Sequence, residues 1–215
     1  QPDPVMSALF PGCIEKGRDL NRGGGAHYYF GFHGAGSSSA ADALAAVKEL
    51  VFHTGEVSPD RLLRALETDY NDDPALRALL RTRAPKVGQG SNTADRMLAR
   101  VFDEFAAVLS RHEFDRGGKL RAGTGSAMNY VTLTQPEYEK PWNPIVKADA
   151  SGRKLGDYIS SSLSPSPGVR ARGPLSVFRC YGGLDYRKLV NGGPITMELA
   201  DSWFRSPEAI EKTAA

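Results

Sequence analysis

Cysteine is nearly missing from this 215-residue chain: Cys13 and Cys180 stand far apart and outside any Cys-x-x-Cys pair. That argues against a zinc ribbon or a disulfide framework and leaves two reduced, buried thiols as the expectation. The four histidines, His27, His33, His53 and His112, make neither a His-x-x-x-His nor a His-Glu-x-x-His spacing, so no metal site is expected. An excess of one charge is also lacking. The 27 basic residues are interleaved with 25 acidic ones for a net charge of +2, which argues against nucleic acid as a partner. No apolar run approaches the ~20 residues that cross a bilayer, and Gln1-Pro2-Asp3-Pro4 lacks the basic-then-apolar order of a secretory signal. A cytoplasmic protein with no membrane partner is the expectation.

What is present is ordinary globular composition, 40% hydrophobic and 24% charged, in one domain or part of one. Val5, Leu9 and Cys13 fall at helical spacing and predict one helix from Pro4 to Lys16, closed by Gly17. The aromatic run His27-Tyr28-Tyr29-Phe30 lies between two glycine-rich stretches, Gly23 to Gly25 and Gly34 to Gly36, and reads as a short buried strand or an extended loop. From Ser39 to His53 a second helix is predicted, with Ala40, Leu44, Val47, Leu50 and Val51 on its apolar face and Asp42, Lys48 and Glu49 elsewhere. Ser58-Pro59 and Asp73-Pro74 each place a capping side chain before a proline at the first helical position. The stripe Met97, Leu98, Val101, Phe102, Phe105, Val108, Leu109 predicts a long helix from about Thr93 to Arg111 lying against a substantial core. Ser126 to Leu133 alternates and predicts a strand, Leu175 to Arg179 a further one, and Ser206-Pro207-Glu208 the start of a last helix with no cap at its far end.

Three stretches, taken together, resemble one family. The first is Cys13-Ile14-Glu15-Lys16-Gly17-Arg18-Asp19, followed by Gly24-Gly25-Ala26-His27-Tyr28-Tyr29-Phe30 and by Ala41-Asp42-Ala43-Leu44-Ala45-Ala46. It is similar to the blocks DCIERGKD, GGARYNF and ADSLAAIKKLVF of glycyl radical enzymes of the pyruvate formate-lyase family. Ala84-Pro85-Lys86-Val87-Gly88 resembles that family's APKYGND, and Arg116-Gly117-Gly118-Lys119-Leu120 its GGKF segment, which leads to a strand ending HVPLG. Ser151-Gly152-Arg153-Lys154, Leu163-Ser164-Pro165 and Gly173-Pro174-Leu175-Ser176-Val177 resemble its PDGRKAGEPLADG, SP and GPTAVLKS run.

The resemblance implies an α/β fold in which residues 1–215 form the C-terminal part of a barrel of strands wrapped by helices, with the glycine radical domain absent. It implies a lyase of the dehydratase and decarboxylase branch, cleaving a carbon–heteroatom or carboxyl bond through an organic radical. The alternatives are radical addition of a hydrocarbon to fumarate, or a non-catalytic structural or interaction protein built on half a barrel. Implied partners are the remaining parts of the same enzyme, a small organic substrate, a second copy in a homodimer, and an activating enzyme that uses S-adenosylmethionine and an iron-sulfur cluster. Such chemistry is anaerobic. The cofactor is a protein glycyl radical in the full enzyme, with none bound in this segment.

The family's radical glycine lies in an Arg-Val-x-Gly motif followed by Tyr or Trp, a pattern that does not occur here, and its thiyl cysteine lies upstream of the Cys-Ile-Glu block. Cys13 could imitate that thiyl cysteine with Glu15 as a base. Because Lys16-Gly17-Arg18-Asp19 follows in register, Cys13 is assigned to the block instead. No catalytic residue is expected in the chain, and the segment alone is not expected to be active. Strand alternation matched to the HVPLG-like element makes Asn129, Val131 and Leu133 the substrate-binding set, with Tyr130 and Thr132 pointing away. Such a wall would suit an aromatic or alkyl substrate. Arg153, Arg170 and Arg172 either grip an anionic substrate or are solvated or ion-paired surface groups. The Tyr28-Tyr29-Phe30 cluster reads as core packing and Gly23 to Gly25 as no phosphate loop.

Overall fold

The computed structural model describes residues 1–114, 118–124, 128–190, 192–196 and 201–214, without the side chains of 128, 129, 203, 213 and 214. Helices α1 (Pro4–Leu9) and α2 (Cys13–Lys16) open the chain. They are two elements where one was predicted, because Pro11 removes a backbone donor and Gly12 adopts φ +94. Gly17 does close α2 in the left-handed region, donating its N–H to Cys13 and Ile14 carbonyls. Gly24 belongs to a close backbone approach: a Cβ there would stand 2.0 Å from the Arg18 carbonyl oxygen.

Strand β1 (Tyr29–Gly34) pairs in parallel with β2 (Lys119–Thr124), Tyr29 opposite Lys119 and Gly34 opposite Thr124. The crossover between them carries α3 (Ser37–Ala46), a π-helical turn (Val47–His53), α4 (Pro59–Glu67), α5 (Pro74–Thr82) and α6 (Asn92–Ser110). A parallel pair needs a crossover of this kind. Tyr28 meets Phe30 edge-on at 5.3 Å and Phe30 meets Phe114 at 4.1 Å, but Tyr29 is 43% exposed and no residue of β1 is fully buried, so the strand and the aromatic cluster expected in the core lie largely at the surface.

Both proline-led helices start where the sequence places them. Ser58 accepts from Arg61 N and Asp73 accepts from Leu76 N, each three residues on. Helix α6 packs against α3 and β2 in a core that includes Ala41, Ala45, Leu98, Phe102 and Tyr181. A second core forms under α4 and α5 from Leu50, Val57, Leu62, Tyr70, Leu76 and Leu80.

Three further expectations are overturned. Helix α7 (Met128–Thr132) occupies most of the predicted strand Ser126 to Leu133, whose residues 126 and 127 lie outside the described set. Thr134 fastens the end of that helix by donating its hydroxyl to the Tyr130 carbonyl at 2.5 Å. Helix α8 (Pro174–Gly182) replaces the strand predicted over Leu175 to Arg179, since Gly173-Pro174 supplies a helix start. The buried face of α3 is also not the predicted one. Leu44 is 47% exposed, whereas Asp42 is fully buried among Ser38, Ala41 and Ala45. The last helix, α9 (Pro207–Ala214), starts behind Ser206 as expected. Among the described residues no helix is long and apolar enough to cross a membrane.

Candidate functional site

The stretches that carry the resemblance meet at one place. Asp42 comes from α3, Lys86 from the turn after α5, and Arg153 from the Ser151-Gly152-Arg153 turn. All three are buried, at 0%, 3% and 4% exposure. Small side chains on α3 let this happen, because Ser38, Ala41 and Ala45 leave room for the neighbouring loops to approach.

Each charge in the cluster has compensating partners. Asp42 Oδ1 accepts from Val87 N at 2.7 Å and Oδ2 from the Ser166 hydroxyl at 2.6 Å. Burial nevertheless dominates and pushes its carboxyl up to about 6, against the opposing pull of those hydrogen bonds and of Lys86. Burial likewise lowers Lys86, whose ammonium donates to the Ser151 carbonyl at 3.1 Å. Arg153 forms an ion pair with Asp149, Nε to Oδ2 at 2.7 Å, and spends its other nitrogens on the carbonyls of Val146, Lys147, Lys154 and Asp157. It is therefore an internal clamp, neither a surface group nor a free hand for substrate. Gly152 must stay small for this turn to seat, since a Cβ there would meet Arg81 Cγ at 2.7 Å and the Arg77 carbonyl at 3.0 Å.

Two cavities adjoin the cluster and share the wall Ser166 to Val169. The smaller, about 370 Å³, is lined by Ser39, Asp42, Arg81, Lys86, Ser151 and Arg153 among others. The larger, about 890 Å³, takes hydroxyls from Tyr130, Tyr158, Ser161, Ser164 and Thr196, with the Arg170 side of the Pro-Gly turn at its edge. Tyr130 and Tyr158 pack edge-on at 5.1 Å.

The predicted binding set fares unevenly. Val131 and Leu133 are half-buried, and Tyr130, expected to point away, lines the larger cavity. The side chain of Asn129 lies outside the described residues. Because α7 is helical, the alternation that assigned Asn129, Val131 and Leu133 to one face does not exist, and the apolar-wall argument for an alkyl or aromatic substrate falls with it. Cys13 is buried in α2, and the Glu15 carboxylate is engaged by Gly12 N at 2.9 Å as a helix cap. Cys180 is also buried, and desolvation, with Asp95 beside it, pushes its thiol well up, which keeps it protonated and inert. Arg172 and Arg170 are exposed, with their backbones tied to Gly88 and Gln89. Sequence patterning missed Asp42 and Lys86 as site residues. The signal for Asp42 was its place in a run of serines and alanines, where no large side chain competes for the interior.

The family model described as pyruvate formate lyase-like matches residues 1–134. The chain belongs to that family. Among curated proteins, this pyruvate formate lyase-like chain is 26% identical to trans-4-hydroxy-L-proline dehydratase of Clostridioides difficile over 213 residues, covering 99% of the chain and 26% of that protein. It is 31% identical to isethionate sulfite-lyase of Desulfovibrio desulfuricans over 181 residues, 81% of the chain and 20% of that protein. Among solved structures, hydroxyproline dehydratase from Clostridioides difficile superposes with a TM-score of 0.87 at 25% identity, over 99% of this chain and 26% of that one. The B12-independent glycerol dehydratase from Clostridium butyricum does so at 0.83 and 26% identity, over 98% and 26%. The chain thus spans about a quarter of the length of these dehydratases. Its α/β architecture is a portion of the glycyl radical enzyme barrel.

Proposed function

We propose that the complete protein is a glycyl radical lyase acting on a small organic substrate, cleaving a carbon–heteroatom bond as a dehydratase or a carbon–nitrogen or carbon–sulfur lyase, or the bond to a carboxyl group as a decarboxylase. The observation that carries this reading is the end-to-end match of the chain to dehydratases of that family, at a TM-score of 0.87 over 99% of its residues. Residues 1–215 would form the C-terminal part of the barrel domain. The radical glycine and the thiyl cysteine would come from parts of the complete protein beyond this segment.

Within the segment, α7 and the residue after it would supply one wall of the substrate cavity, with Tyr130 joining Asn129, Val131 and Leu133. The hydroxyls of Tyr130, Tyr158, Ser161 and Ser164 favour a substrate that can hydrogen-bond in a desolvated space. A closed barrel would protect the radical from water and oxygen. Radical installation would require an activating enzyme with S-adenosylmethionine and an iron-sulfur cluster, under anaerobic conditions, in a cytoplasmic homodimer.

The test is anaerobic activation of the complete protein followed by electron paramagnetic resonance. A glycyl doublet, with turnover of one compound in a panel of hydroxyproline, glycerol, isethionate, choline and arylacetates, is the expected outcome. Absence of the doublet after activation would sink the proposal in favour of a non-catalytic barrel protein, and turnover of an arylacetate alone would restore the apolar wall.

A further inference from the structure

The smaller cavity holds more hydrogen-bond donors than acceptors. Arg153 is consumed by Asp149 and four carbonyls, and Asp157 by Arg77 at 3.1 Å and the Lys154 amide. Ser151 gives its hydroxyl to Asp149 Oδ1 at 2.5 Å. Ser39, Ser166 and Asp42 form a closed relay, Ser39 Oγ to Ser166 Oγ at 3.3 Å and Ser166 on to Asp42.

What is left over is cationic. Lys86 donates to one carbonyl among the described residues, so two of its three N–H groups remain for the cavity although the residue is 97% buried. The Arg81 side chain has no hydrogen bond or ion pair among the described residues. Its guanidinium stands beside Gly168, where an added Cβ would lie 3.0 Å from Nη2. With Arg153 neutralised by Asp149 and Arg77 by Asp157, the cavity carries Lys86 and Arg81 against Asp42 alone. Both oxygens of Asp42 already accept a hydrogen bond.

Buried donors without acceptors and a net positive wall call for an anionic acceptor. We propose that the cavity between α3, α5 and the Ser166 to Val169 loop binds a small oxyanion, a phosphate or carboxylate group held by Lys86 at its floor and Arg81 at its mouth. A volume of about 370 Å³ accommodates such a group together with a few waters or a short carbon chain. Arg81 offers a planar fork that suits two oxygens of one ligand, and Lys86 a point charge behind them. The shared wall Ser166 to Val169 places this site next to the larger cavity; Tyr158, proposed there for substrate, lines both cavities, whereas Lys86 and Arg81 line the smaller one and not the larger.

The experiment uses the complete protein without radical activation, so its outcome does not depend on the proposed chemistry. Thermal unfolding and calorimetry are recorded with sodium phosphate, with sodium acetate, and with sodium chloride at matched ionic strength. Stabilisation by phosphate or acetate beyond chloride is expected, the stronger of the two identifying the ligand group. Arg81→Gln, at an exposed position, is expected to weaken binding about tenfold, and Lys86→Met to abolish it. Should Lys86→Met not fold, Arg81→Gln decides the matter alone. Equal responses to all three salts, or unchanged affinity in Arg81→Gln, would overturn the site. So would a crystal structure of the complete protein with one of its own carboxylates between Lys86 and Arg81.

Discussion

Helices α1 and α5 begin in the same way, with an aspartate cap followed by proline, yet they end in opposite surroundings. Asp3 accepts from Met6 N and Asp73 from Leu76 N, at 3.0 and 2.9 Å. On α5, Leu76 and Leu80 are sealed at 0% and 1% exposure; on α1, Val5 and Leu9 stand 72% and 74% exposed. Local chemistry starts a helix in both places. Whether its apolar face contributes stability depends on what lies opposite. The α4–α5 region is closed by its own core and by the Asp149–Arg153 turn, whereas α1 and α2 present apolar side chains that nothing among the described residues covers. A segment spanning about a quarter of its relatives' length should show that division.

The largest effect expected lies on the closed side. Arg153→Met leaves Asp149 without its ion-pair partner and removes the donor from the Val146, Lys147 and Asp157 carbonyls, while the Lys154 carbonyl keeps the Asp157 N–H, and should cost about 3–5 kcal/mol by urea denaturation. A loss under about 1 kcal/mol would mean that the clamp is incidental. Next comes a direct contrast between the two helices. Leu80→Ala should cost about 2–5 kcal/mol, and Leu9→Ala less than about 0.5 kcal/mol in the 215-residue chain. Equal losses would break the comparison. A cost for Leu9→Ala that grows in the complete protein would sharpen it.

Asp42 gives a pH signature on the closed side. Its carboxyl is raised from 3.8 to about 6 by burial, so the folded state holds the proton more tightly than the unfolded chain does. Stability from this group is therefore fully present below about pH 4 and lost as pH rises through about 6, at most about 3 kcal/mol. Lys86 and Asp149 are the charged groups facing it, and burial lowers Lys86 from its ordinary value. Asp42→Asn can still accept from Val87 N and still meet Ser166, and should flatten the pH 4 to 6 slope in a series of unfolding curves. A slope that persists unchanged in Asp42→Asn would assign it to other carboxylates.

Helix starts were legible in the sequence because they depend on three or four adjacent residues: Ser58-Pro59, Asp73-Pro74 and Ser206-Pro207 all begin helices. The family was legible because its blocks keep their order and spacing. What failed depended on partners far along the chain. Asp42 reads as a surface aspartate until Val87 and Ser166, 45 and 124 residues away, are brought to it. Tyr130 to Leu133 reads as a strand because its β-formers alternate, yet the Thr134 hydroxyl and the Asn143 amide fasten its carbonyls into a helical turn. Short apolar runs are ambiguous in this way, and a substrate wall inferred from alternation inherited the error.

The smallest expected effect tests whether the closed side owes its stability to burial or to ion pairs as such. Arg61 and Asp73 link α4 to the cap of α5 with a fork at 2.7 and 3.1 Å, geometry as good as that of Arg153 with Asp149. The difference is solvent: the Arg61 side chain is 44% exposed and that of Arg153 only 5%. Water already satisfies most of what Asp73 would lose, and Asp73 keeps its bond to Leu76 N. Arg61→Ala should therefore cost about 0.5 kcal/mol, fading in 1 M salt where screening acts within about 3 Å. The Arg153→Met loss should depend much less on salt, because the Arg153 guanidinium is 5% exposed and held by four carbonyls, although Asp149 is 22% exposed like Asp73. If both losses respond to salt alike, the distinction between the closed and open sides of the chain is one of charge count and not of burial.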